Sequence, residues 1–114
     1  MVKNLRPREV DAWLKAENPD GKPFLLDVRE AWELQTAPFP APADCTLLHL
    51  PMRETPARLG ELAPHRPLLV ICHYGSRSMQ VAHFLVQQGF TDVTNLAGGI
   101  EAWATEVDPA VARY

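Results

Sequence analysis

The chain is poor in cysteine: 114 residues hold only Cys45 and Cys72, too few for a disulfide framework. It has no apolar run near the roughly 18 residues that a membrane-spanning helix needs. Its opening stretch, Met1-Val2-Lys3-Asn4-Leu5-Arg6-Pro7, lacks the apolar segment of a secretory signal. It also lacks a basic balance or stripe. Eleven Lys and Arg stand against 14 Asp and Glu, for a net charge of -3. That balance disfavours nucleic acid and anionic membranes as partners. Its four histidines show no metal-ligand spacing, so neither a metal nor a cofactor is predicted. The expected setting is a cytoplasmic, reducing one, where a thiol can be kept for chemistry.

What is present suits a folded protein. An apolar fraction of 46% with 22% charged residues excludes a wholly disordered chain. The length predicts one domain over 1–114. The last residues, Glu106 to Tyr114, lose apolar periodicity and read as a loosely docked C-terminal tail from about residue 105. Pro38, Pro40 and Pro42 make Ala37 to Asp44 an irregular connection, because proline lacks the N–H that helices and ladders use.

Four short apolar runs read as strands: Phe24 to Val28, Thr46 to Leu50, Leu68 to Cys72 and Val93 to Leu96, with a very short fifth near Lys3 to Leu5. Their near-continuous apolar character suits strands covered on both faces. Helices are predicted after Pro7, from Glu30 to Gln35, from Thr55 to about Leu62 with Thr55 as N-cap, from Ser78 to Gln88 with Gly89 as a left-handed cap, and from Gly99 to Thr105. Alternating strands and helices imply an α/β layer sandwich with a mostly parallel sheet. Ligands bind such sheets beyond the carboxyl ends of the strands.

The segment Cys72-His73-Tyr74-Gly75-Ser76-Arg77-Ser78 follows one of those strand ends and opens the strongest helix. A sulfur there lies near free N–H groups and the positive end of a helix dipole, which favour an anion. The thiolate is the nucleophilic form of a cysteine. Gly75 allows a tight curl of convergent N–H groups. Arg77 adds a forked cation suited to an oxyanion, and Ser78 is placed to donate to the sulfur. The bland reading of Cys72 is a small buried hydrophobe, but cysteine, glycine, arginine and serine together point to chemistry.

His73 has three readings: tuning the thiolate, touching substrate, or facing solvent. Tyr74 reads as pocket wall. His49 is better read as packing than as part of the cleft, and His65 and His83 as surface residues. Cys45 reads as a loop thiol, with a resolving partner of Cys72 as the alternative. Trp13, Trp32 and Trp103 suit core or rim packing.

Taken together, these segments resemble the rhodanese-like domain family, over about Leu5 to Thr105. The loop from Cys72 to Ser78 looks like the family's active-site loop, and Leu26-Asp27-Val28-Arg29-Glu30 with Glu33 looks like its first block. His49-Leu50-Pro51 resembles a strand end that usually reads Asn-Ile-Pro. Asn95-Leu96-Ala97-Gly98-Gly99-Ile100-Glu101-Ala102-Trp103 resembles the closing signature. The run from Ala37 to Cys45 departs from the family, which usually shows Gly-His-Ile-x-Gly-Ala there.

The resemblance implies a three-layer sandwich around a five-stranded, mostly parallel sheet. It also implies sulfane-sulfur transfer from a donor such as thiosulfate, through a persulfide on Cys72, to cyanide, a thiol or a protein acceptor. His73 to Ser78 would bind substrate, with Arg77 on the sulfonate end. Asp27 and Arg29 would be supporting residues: Asp27 bonding loop N–H groups, and Arg29 pairing with a glutamate such as Glu33.

Two other functions compete. Thiolate phosphatases place five residues between cysteine and arginine, whereas four, His73 to Ser76, separate Cys72 from Arg77. The shorter loop suits one sulfur atom better than a phosphate. A persulfide carrier or interaction module with little turnover of its own is the remaining alternative.

Overall fold

Period-two alternation in the central strand organises the molecule. Leu68, Val70 and Cys72 turn to one face of the sheet, and Leu69 and Ile71 to the other. Each face is then covered. The computed structural model describes residues 1–16, 22–42 and 45–114. The strands are β1 (Lys3–Leu5), β2 (Phe24–Asp27), β3 (Thr46–His49), β4 (Leu68–Ile71) and β5 (Val93–Leu96). They form one parallel sheet in the order β1-β5-β4-β2-β3. Helices α1 (Val10–Lys15), α2 (Ala31–Thr36), α3 (Ser76–Gln87) and α4 (Gly99–Glu106) connect or flank the strands, with 3-10 turns at Pro7–Glu9 and Thr55–Glu61.

One core lies under α3, where Val81, Ala82 and Leu85 meet Leu26, Val28, Leu50, Leu68 and Val70. The second lies under α1 and α4, where Val10, Ile100 and Ala104 meet Leu25, Leu69, Ile71 and Leu96. Burying each such Leu or Ile contributes roughly 1.5–3 kcal/mol, which makes these two faces the main source of stability. The α/β sandwich expected from the strand–helix alternation is the observed fold.

Several expectations need correction. β3 is an edge strand, with Thr46 and Leu47 exposed, so it is not covered on both faces. The segment after Glu54 is a 3-10 turn, and Thr55 is not its N-cap: its hydroxyl turns back to the carbonyls of Leu50 and Pro51. The α3 helix starts at Ser76, two residues early, because Gly75 already supplies the left-handed entry. The C-terminal tail is docked rather than loose. Val111 is buried in the second core, and Tyr114 bonds to buried side chains.

Of the proline-rich connection, Ala43 and Asp44 lie outside the described residues. Ala37 to Pro42 is irregular, and its Ala37 and Phe39 are buried in the second core, Phe39 against Trp103.

Gly99, with φ +61°, lets α4 begin against the chain that follows β4. A Cβ there would sit 2.4 Å from the His73 carbonyl oxygen and 2.5 Å from that of Cys72. Gly99→Ala should therefore cost about 2 kcal/mol or more, from strain plus a backbone clash. Gly60→Ala, whose Cβ would meet nothing within 4 Å, should stay within about 0.5 kcal/mol of the parent. Urea unfolding of both variants checks this; equal, small effects would contradict it.

Candidate active site

β4 ends at Ile71, which leaves Cys72 at the carboxyl edge of a central strand. Two amides of α4 hold the chain at that point. Ile100 N–H donates to the Cys72 carbonyl at 2.9 Å, and Glu101 N–H donates to that of His73 at 3.0 Å. The first amides of a helix have no partner within it, so the start of α4 is satisfied by the loop it pins.

Gly75 then reverses the chain at φ +97°; a Cβ there would lie 2.9 Å from the Gly98 nitrogen. The reversal aims two backbone donors at one atom. Gly75 N–H reaches Cys72 Sγ at 3.0 Å and Ser78 N–H reaches it at 3.3 Å. Ser78 lies in the first turn of α3, so the positive end of a twelve-residue helix faces the sulfur as well. Cys72 is buried, but its sulfur is not simply packed in hydrocarbon.

Proton counting decides what Ser78 does. Asn95 Nδ2 donates to Asn4 Oδ1 at 3.2 Å and to the Gly75 carbonyl at 3.3 Å, which turns its Oδ1 towards Ser78. The Ser78 hydroxyl gives its one proton to that Oδ1. Its oxygen, 3.2 Å from Sγ, therefore accepts the thiol proton. The sequence reading had Ser78 donating to the sulfur; in this network it accepts. Ionisation of Cys72 keeps both amide donors and frees the Ser78 hydroxyl to turn.

Arg77 does not face an empty cleft. It forms a bidentate pair with Glu33, Nη1 to Oε1 and Nη2 to Oε2, both at 2.7 Å. The Glu33 carboxylate is buried and also accepts from the Glu30 amide at 3.0 Å and the Tyr114 hydroxyl at 2.8 Å. These donors, Arg77 first, hold the Glu33 carboxyl at about 2 against the opposing effect of burial.

Arg29 pairs with Asp27, at 2.8 Å between Nη2 and Oδ2, and donates to the Tyr114 hydroxyl at 3.0 Å. Both members of that pair are buried. Two expectations are thus exchanged. Arg29 takes Asp27 rather than Glu33, and Asp27 serves Arg29, including its backbone N–H at 3.1 Å, rather than the loop around Cys72.

His73 lies between two rings, 3.8 Å from Tyr74 and 3.7 Å from Tyr114, both stacked. Burial pushes its pKa down, and its buried Nε2 has no hydrogen-bond partner. It therefore does not face solvent and adds no charge to the loop at neutral pH. Tyr74 and Trp32 are exposed rim residues, and Ser76 is exposed. His49 bonds the Arg29 carbonyl through Nε2 at 2.6 Å, a structural contact.

Cys45 packs against the core under α4, whereas Cys72 belongs to the core under α3. Cys45 precedes β3 and Cys72 follows β4, at opposite ends of the sheet and two strands apart. Strand spacings put them roughly 20 Å from each other. A disulfide needs Cα atoms within about 7 Å, so Cys45 is no resolving partner.

Sequence reading did not find Asn95 or Tyr114 as site residues. Asn95 carried a signal: a polar residue inside a buried strand needs partners. Tyr114 carried none, because the tail has no periodicity.

A family model described as "Rhodanese-like domain" matches residues 7–106. A protein of Allochromatium vinosum named "Sulfurtransferase" is 39% identical over 89 residues, which cover 78% of each chain. An Arabidopsis thaliana protein, "Rhodanese-like/PpiC domain-containing protein 12, chloroplastic", is 38% identical over 94 residues; these are 79% of this chain but only 30% of that longer one. Among solved structures, a rhodanese-like domain protein from Staphylococcus aureus superposes with a TM-score of 0.73 at 25% identity, covering 98% of both chains.

The Glu33 pairing makes a pH prediction. A depressed carboxyl stabilises the fold fully above its unfolded value of 4.5, and that contribution disappears as pH falls towards 2. The difference amounts to roughly 3 kcal/mol. Denaturant unfolding of the parent and Glu33→Gln should therefore show a gap near pH 7 that closes as pH approaches 2. A gap independent of pH would refute the assignment.

Proposed function

The chain belongs to the rhodanese-like domain family, and from that membership we propose that it is a sulfurtransferase working through a persulfide on Cys72. The thiolate attacks the sulfane sulfur of a small-molecule donor. The donor's S–S bond breaks, its electron pair leaves with the remainder of the donor, and Cys72 keeps one extra sulfur. A thiol, cyanide or the thiol of a protein acceptor then attacks that outer sulfur and returns the Cys72 thiolate. No electrons are gained or lost overall, so no redox cofactor enters.

The observation that carries this reading is the convergence of the Gly75 and Ser78 amides on a single sulfur atom. Such donors stabilise the thiolate, and after transfer the persulfide anion, without reorganising during the reaction. The resting thiol fits the same frame through its bond to Ser78. Because Cys72 is buried, a donor reaches it when the residues around it move aside. A phosphatase reading is weaker, since the arginine it would need for the phosphate is held by Glu33.

The test is intact mass before and after incubation with a sulfane-sulfur donor. The parent should gain about 32 Da on Cys72, the mass of one sulfur, and lose it on adding cyanide. Cys72→Ala should gain nothing and transfer nothing while remaining folded by circular dichroism. Transfer retained by Cys72→Ala would overturn the mechanism.

A further inference from the structure

The question the loop leaves open is which donor it takes. Thiosulfate is a dianion, and its attack by a thiolate gathers three negative charges in one place before sulfite departs. An uncommitted cation at the sulfur favours such a reaction. Around this loop, each arginine is matched. Arg77 is held by Glu33, Arg29 by Asp27 and Arg113 by Glu101. His73 is kept neutral by burial. What remains at the sulfur is two backbone amides and the helix dipole, and these already serve the single charge of the thiolate.

Arg77 is also poorly placed to leave Glu33. The carboxylate it neutralises is buried, and without Arg77 it would keep only the Glu30 amide and the Tyr114 hydroxyl. Removing one member of a buried pair leaves the other uncompensated, which is strongly unfavourable. Tyr114 reinforces the arrangement from the other side, held by Arg29 and stacked on His73.

Resting on the reading of Cys72 as the sulfur acceptor, we infer that Glu33 sets the donor class of this site. By cancelling Arg77 it turns the loop towards hydropersulfides, R–S–SH, and away from sulfonate-bearing dianions such as thiosulfate. The step balances without a co-reactant. Cys72–S⁻ attacks the outer sulfur of R–S–SH, a Cys72–S bond forms, the donor's S–S bond breaks, and R–S⁻ leaves with the electron pair. The product is Cys72–S–SH, and the outer proton travels with the transferred sulfur. Glu33 touches neither reactant; it acts through Arg77 and is a positioning residue.

The experiment measures second-order rates of Cys72 loading by intact mass. The donors are thiosulfate and the hydropersulfide of N-acetylcysteine methyl ester, a thiol without a fixed charge. The parent should load faster from the hydropersulfide. Glu33→Gln, which leaves Arg77 without a counter-charge, should raise the thiosulfate rate about tenfold and change the hydropersulfide rate less than about twofold. Adding Arg77→Ala to Glu33→Gln should remove that gain, and Glu33→Asp should restore the parent preference. A merely structural Glu33 would move both donors together.

The parent alone supplies a measurement that needs no variant. Raising salt from about 0.05 to 0.5 M should leave thiosulfate loading unchanged or faster, because no net attraction is being screened. A severalfold fall with salt, or an unchanged donor ratio in folded Glu33→Gln, would overturn the inference. So would a loss confined to thiosulfate in Arg77→Ala with Glu33 intact, since Arg77 would then be serving the sulfonate. Loading by neither donor would instead overturn the persulfide reading on which this one stands.

Discussion

The two short contacts between Arg77 and Glu33 join residues forty-four positions apart in the chain. Glu33 belongs to α2 and Arg77 to the first turn of α3. The start of that helix, which supplies a donor to Cys72, is set by Gly75 rather than by this pair. A buried ion pair adds little net stability compared with hydrocarbon of the same shape, because both charges lose their hydration. Its value here is connection and charge. It ties α3 to α2 at one point, and it leaves the loop electrically balanced except for its amides. The second pair, Asp27 with Arg29, meets the first at Tyr114, whose hydroxyl donates to Glu33 and accepts from Arg29.

Much of this fold was legible in the sequence, for physical reasons that can be named. β4 was readable because its four apolar residues run into a cysteine and a glycine-containing turn. The loop was readable because its geometry is local: Gly75 and the helix start lie within six residues of Cys72. The run from Gly98 to Trp103 was readable for the same reason, as two glycines followed by a helical pattern. The bounds of α3 and α2 were off by a residue or two at each end, because capping there depends on Gly75 and on a Glu30–Glu33 capping box rather than on apolar spacing.

What the sequence left open is nonlocal. Glu33 lies four residues from Arg29 and forty-four from Arg77, so spacing alone favours the wrong partner. Asp27 takes Arg29 first because both are buried at one strand end, where neither carboxylate nor guanidinium has water to turn to. The tail offered no periodicity, yet Val111 fills the second core and Tyr114 finds two charged partners and two rings. Ser78 also needed tertiary information. Whether its hydroxyl gives or takes a proton depends on Asn95, and Asn95 is oriented by Asn4 and by the Gly75 carbonyl, from opposite ends of the sequence.

The bonds from Ile100 and Glu101 to the Cys72 and His73 carbonyls have a consequence for motion. They are the joints between α4 and the loop, and the loop has to shift for anything to reach a buried sulfur. Whenever it lifts, these two amide protons meet solvent, while those deeper in α4 stay protected by their own turns. Their rate of exchange with deuterium is therefore a clock for how often the joint between α4 and the loop opens, readable in the resting protein without any donor present.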